Sequence, residues 1–186
     1  FSDIEMNANL SLYDGISTTE IHKILIKSAN DLISTSSPNY QYVAARLLNM
    51  ELRKEVWGYG DQPTDFLLFL QRNTDNGLYD PLILEKWTSK KIDLLGNYIN
   101  HSRDDLFTYA GLQQMIDKYL VKNRSTGQIY ETPQFAYMCI AMCLFDTIDE
   151  VKKAYDCYST FKINLPTPIM AGKINFKRRV AIISFF

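Results

Sequence analysis

Apolar residues recur at helical spacing along most of this chain, in blocks separated by short polar runs that carry Pro, Gly, Asn or Asp. Residues 1–15, FSDIEMNANLSLYDG, are polar and mixed, without a clear period, and end in an Asp-Gly turn signal. The next block, STTEIHKILIKSANDLIS, puts Ile21, Ile24, Leu25, Ser28 and Leu32 on one stripe and predicts a helix. Ser17 and Glu20 have capping-box spacing at its start, with Thr18 as an alternative cap. Pro38 breaks the chain. NYQYVAARLLNMELRKEVWG then repeats the helical pattern through Tyr40, Val43, Ala44, Leu47, Leu48 and Leu52, and Gly58 stops it. Two helices joined by a short proline-containing link make an αα-hairpin.

The pattern stays helical beyond Asp61. TDFLLFLQRN starts with Thr64 or Asp65 near its cap, NGLYDP is a turn, and PLILEKWT and SKKIDLLGNYI are short amphipathic pieces. A further helix is predicted over 106–119. One β signal follows: 120–123 and 128–131 flank a polar loop holding Gly127 and predict a hairpin. TPQFAYMCIAMCLF reads as a helix capped by Thr132 with Pro133 at its first position, and DEVKKAYDCYSTF as one more. No internal repeat or low-complexity segment interrupts this order. The predicted fold class is mainly α with one β-hairpin.

Composition narrows the function classes. The 186 residues suffice for one medium domain or two small ones. Twenty basic residues face twenty-one acidic ones, so charge makes no case for nucleic acid or an anionic membrane as partner. Aromatics at 13% suggest a helical core filled by large rings. No apolar run reaches the roughly 20 residues that span a bilayer. The three cysteines, Cys139, Cys143 and Cys157, have no framework spacing; they read as reduced packing thiols of a cytoplasmic protein, with no metal site. The first residue is Phe, so the sequence need not display the start of translation.

Two places carry candidate chemistry. Ser17, Thr18 and Thr19 stand at a helix N-terminus with His22 one turn in; such a terminus either is simply capped or holds an anion. Lys54, near the end of the second helix, either complements the helix dipole or reaches a phosphate, and Arg53 beside it is a weaker candidate. In NLPTPIMAG, Pro166 and Pro168 bias Thr167 toward an extended conformation. That segment reads as an edge or the entry to a strand, or as a rigid ligand contact.

Three motifs occur in order: YQYVAAR, TGQIYETPQF and LPTPIMAG. With their flanks they resemble the large subunit of class I ribonucleotide reductases, in bacterial or T4-like phage form, over residues 10 to 172. The resemblance implies a partial ATP-cone at 1–57, an N-terminal helical domain at 58–162 with its hairpin at 120–131, and the first strand of an otherwise absent α/β barrel at 163–172. It implies reduction of ribonucleoside diphosphates by thiyl-radical chemistry, with the radical generated in a separate small subunit holding a diiron or related metal-radical centre. ATP and dATP are the implied allosteric effectors, and thioredoxin or glutaredoxin the implied reductant. By position, Thr18, His22 and Lys54 match residues that contact the regulatory nucleotide, and Thr167 matches one that contacts the substrate diphosphate.

The chain departs from the family at both ends. The strands and basic turn that open the complete ATP-cone are missing, so weakened nucleotide binding is expected. From Lys173 the text KINFKRRVAIISFF replaces the family's loop and its reducing cysteine, and no cysteine present matches a catalytic position. No catalytic residue is therefore assigned. The expectation is that the reading frame left the reductase gene near Lys173. Lys177, Arg178 and Arg179 then read as a solvated charge cluster, and VAIISFF as an aggregation-prone segment or a partner strand. The function expected is that of an N-terminal portion of the large subunit, completed by a second chain that carries the catalytic cysteines. The alternatives are an inactive remnant or a helical nucleotide-sensing module, the latter disfavoured by the lack of a Cys-x-x-Cys zinc ribbon.

Overall fold

The computed structural model describes residues 2–9, 11–58, 62–123 and 125–171. The expectations for Lys177, Arg178, Arg179 and VAIISFF lie outside those residues. In chain order the helices are α1 (Ser2–Asn9), α2 (Thr18–Asp31), α3 (Tyr40–Trp57), α4 (Phe66–Asp75), α5 (Leu82–Lys86) and α6 (Ser89–Gly96). A 3₁₀ turn (His101–Leu106), α7 (Tyr109–Gln114), a π-helical turn (Met115–Tyr119), α8 (Pro133–Leu144), α9 (Ile148–Ser159) and α10 (Thr167–Ala171) follow. Among the described residues there is no strand, so the mainly helical class holds.

Local chemistry explains most of these boundaries. The capping box at α2 forms as the spacing predicts: the Glu20 N–H donates to Ser17 Oγ at 3.2 Å and the Ser17 N–H to the Glu20 carboxylate at 3.1 Å. Gly58 ends α3 at φ 81°, a conformation that costs glycine nothing. Asp65 caps α4 through the Leu68 N–H at 2.9 Å. Thr132 stands in cap geometry before Pro133, although its hydroxyl bonds to nothing and is buried.

Four segments depart from the sequence pattern. The polar opening contains α1, which buries only Ile4 and Ala8, one turn apart, too short a stripe to register as a period. The helix predicted over 106–119 is divided. Phe107 is extended at ψ 140°, and Thr108 starts α7 afresh by accepting the Gly111 N–H at 3.2 Å. The hairpin narrows to a single antiparallel bridge, Lys122 to Ile129. Two cross-strand bonds remain, Tyr130 N–H to Val121 O at 2.9 Å and Asn123 N–H to Gln128 O at 2.8 Å, while the Val121 N–H goes to the buried Glu131 carboxylate and the Ile129 N–H to Glu55, each at 2.7 Å. Segment 163–172, expected as an extended barrel strand, ends instead in α10. Pro166 O accepts from Ile169 and Met170 at 3.0 and 3.1 Å, and Pro168, fixed near helical φ and lacking an N–H, suits a first turn.

Two apolar clusters organise the packing. The smaller joins α1, α2 and the first half of α3 through Ile4, Ala29 and Ala44. The larger surrounds α8, which is buried at every position from Pro133 to Met142 and is packed by Phe69, Trp87, Leu112 and Tyr155. Leu52 and Val56 of α3 belong to this larger cluster, so α3 serves both, and the boundary expected at residue 57 falls inside a continuous packing unit. A polar network runs through the junction. Asp104, 1% exposed, accepts from Arg53 at 3.3 Å and from Gln134 at 2.9 Å. Gln134 in turn accepts the Tyr155 hydroxyl at 2.7 Å. Burial pushes the Asp104 carboxyl up to about 6, against the opposing pull of Gln134 and Arg53.

Candidate functional site

Thr18, His22 and Lys54, which are far apart in sequence, line one cleft of about 340 Å³ together with Thr19, Glu51 and Glu55. The cleft lies between the start of α2 and the last turns of α3. His22 fastens its two walls: Nε2–H donates to Leu47 O at 2.9 Å, so in the neutral ring Nδ1 is left as an acceptor. The capping box consumes the Glu20 N–H, while those of Thr18 and Thr19 remain for a ligand. With the Lys54 ammonium these are the donors an anion requires. The two carboxylates oppose it. Glu55 is partly engaged by Ile129 N–H, whereas one oxygen of Glu51 is buried with no protein partner. Arg53, weighed from sequence beside Lys54, faces the other way. Its guanidinium donates to His101 O at 2.6 Å and to Asp104, and stacks over Trp57.

Thr167 is in a different place. It lies on the wall of a cavity of about 620 Å³ that also includes Tyr119, Tyr137, Phe161, Asn164 and Met170. Its hydroxyl is 3.1 Å from that of Tyr119, a partner separated by 48 positions and invisible to any local pattern. The described residues lining this cavity include no cysteine. Cys139 is buried in α8, and Cys143 and Cys157 are half-buried, with no disulfide among them. Burial raises the Tyr137 hydroxyl above the ordinary phenol range, so it stays a neutral donor there. Among the described residues no cluster of three or more His, Cys, Asp or Glu could hold a metal. No described helix is long and apolar enough to cross a membrane.

Sequence reasoning missed Glu51 and Glu55 in the first cleft and Tyr119 and Phe161 in the second. Glu51 stands three before Lys54 and Glu55 four after Glu51, so that pair of helical spacings was the available signal.

Comparison with known proteins bears on the family alone. A family model described as "Ribonucleotide reductase, all-alpha domain" matches residues 105–173. The chain is 44% identical over 177 residues to ribonucleoside-diphosphate reductase 1 subunit alpha of Salmonella typhimurium, covering 92% of this chain and 23% of that protein. It is 46% identical over 175 residues to ribonucleoside-diphosphate reductase subunit alpha of Enterobacteria phage T4, covering 90% and 23%. With the Helicobacter pylori subunit alpha it shares 32% over 185 residues, covering 97% and 23%. The chain thus spans about a quarter of the length of the curated relatives it matches.

Proposed function

We propose that the chain, a member of the class I ribonucleotide reductase large-subunit family, is the N-terminal portion of a ribonucleoside-diphosphate reductase large subunit, contributing to reduction only together with the part of the subunit that carries the catalytic cysteines. The carrying observation is the placement of its sulfur. All three thiols belong to the helical packing around α8 and α9, and none is among the described residues around Thr167. Thiyl chemistry on a ribose needs sulfur at the substrate, so this chain contributes binding surface. Thr167 offers its hydroxyl to the diphosphate from a turn held by Pro166 and Tyr119. The metal-radical centre belongs to a separate small subunit, and thioredoxin or glutaredoxin supplies electrons in a reducing cytoplasm.

The α2–α3 cleft supports an effector role in the same reading. Thr18 and Thr19 N–H groups and Lys54 hold phosphate of ATP or dATP, and His22 keeps the walls together. Glu51 and Glu55 limit the affinity. Isothermal titration with ATP tests this: Lys54→Ala raises the dissociation constant about tenfold, the scale of one charge-assisted contact. An unchanged constant excludes the cleft.

The wider reading is tested by turnover. With a class I small subunit and a dithiol reductant, the chain alone forms no deoxyribonucleoside diphosphate. Adding a separate polypeptide with the rest of the large subunit restores it. Turnover by the chain alone overturns the assignment. Failure of every complementing chain favours the remnant.

A further inference from the structure

Glu55 takes part in two structures at once. On the last turn of α3 it lines the cleft of about 340 Å³ beside Lys54. Its Oε1 also accepts the Ile129 N–H at 2.7 Å, across 74 positions of sequence. Strand geometry explains why that N–H is on offer. The bonds from Tyr130 N–H to Val121 O and from Asn123 N–H to Gln128 O flank the bridged pair Lys122 and Ile129. A pair flanked in this way aims its own N–H groups away from the partner strand. Ile129 is only 8% exposed and belongs to the larger apolar cluster, so its outward N–H needs an acceptor from the fold. The end of α3 supplies it.

Released from Ile129, the same carboxylate is a free anion beside the cleft's donors, the Lys54 ammonium and the N–H groups of Thr18 and Thr19. There it competes with a ligand phosphate for those donors. Bonded to Ile129, it is held to one side. We propose that Glu55 is a positioning residue that ties occupancy of the α2–α3 cleft by a nucleotide phosphate to closure of the hairpin edge at Ile129. An anion in the cleft excludes the released carboxylate and so keeps Glu55 on Ile129. A closed edge in turn leaves the donors to the anion, and the two effects are reciprocal because they are one equilibrium. The proposal rests on the effector reading of the cleft and adds the contact through which its filling reaches the larger cluster.

The test follows amide exchange of the whole chain by NMR, with ATP as probe, beside a calorimetric titration. In the unaltered chain, saturating ATP slows exchange at Ile129 about fivefold or more, the lower end of coupling between sites. It leaves unchanged the amide of Leu68, which Asp65 holds at the start of α4. Glu55→Gln keeps an acceptor for Ile129 but carries no charge. Its Ile129 exchange without ligand matches that of the unaltered chain, and ATP no longer slows it. Its dissociation constant for ATP falls about threefold, because a like charge has left the cleft. Glu55→Ala speeds Ile129 exchange without ligand and also abolishes the response. If the unaltered chain does not bind ATP, the effector reading falls, and the proposal with it. If ATP binds and Ile129 does not respond, or Ile129 and Leu68 slow by the same factor, the link is wrong while the effector reading stands. A full response in Glu55→Gln overturns the link as well, because the carboxylate charge is then not what the ligand displaces.

Discussion

Asp104→Asn isolates the energetic consequence of the buried network between α3 and α8. The carboxyl titrates at about 6 in the folded protein against an ordinary 3.8, with burial as the main cause. A folded group that binds its proton more tightly than the unfolded chain adds stability below the unfolded value. That stability is lost as pH rises through the folded value. The interval corresponds to about 3 kcal/mol at about 1.4 kcal/mol per pH unit. The raw stability curve hides this, because His101 acts in the same window with opposite sign. Burial, helped by Arg53, lowers its pKa to about 4, so its contribution is present above 6.5 and lost as pH falls. The asparagine variant keeps His101 and Arg53, and its amide oxygen can still accept from Gln134. The difference between the two proteins therefore reports on position 104 alone. Urea unfolding at pH 4, 5, 6 and 7 measures it. The wild type loses about 2.4 kcal/mol relative to Asp104→Asn between pH 4 and 7, most of it before pH 6. A flat difference, or one that rises with pH, refutes the assignment of a buried carboxyl whose desolvation outweighs its bonds to Arg53 and Gln134.

Two further substitutions test the packing around α8 and α6. Lys86 Nζ donates to Met142 O at 3.1 Å and Phe145 O at 2.7 Å and pairs with Asp146, closing the C-terminal end of α8. Lys86→Met leaves Phe145 O unserved, because Trp87 reaches only Met142 O, and costs about 1–3 kcal/mol in urea unfolding; a loss below about 0.5 kcal/mol returns the contact to the class of surface pairs. At Gly96 an added Cβ would stand 2.7 Å from Phe66 Cβ, an atom the backbone holds. Gly96→Ala therefore lowers stability by about 1–3 kcal/mol, read as a fall in thermal midpoint; an unchanged midpoint means that α4 and α6 separate freely.

The residue pattern by itself determined the helices that bury a long stripe and carry their own end signals. Ser17 with Glu20, Asp65, Pro133 and Gly58 act within four residues of themselves, so their effects can be read locally. The three ordered motifs pointed to the family for the same reason, since sequence similarity needs no contacts. It was also legible that Thr18, His22 and Lys54 belong together, although only as a resemblance; the pairing of α2 with α3 is what brings them to one cleft. Tertiary structure alone decided the rest. The hairpin stayed short as the buried Glu131 took the Val121 N–H and Glu55, 74 positions away, took that of Ile129. Arg53 turned from the cleft because a buried carboxylate lies behind it, 51 positions away. The Pro-bracketed segment became a helical turn once Met170 had a core to enter. Phe161, at φ 58°, took a backbone conformation that its residue type disfavours. In the first three cases a contact closed by the fold outweighed a local preference of about 1–2 kcal/mol, and such contacts exist only after the chain has folded.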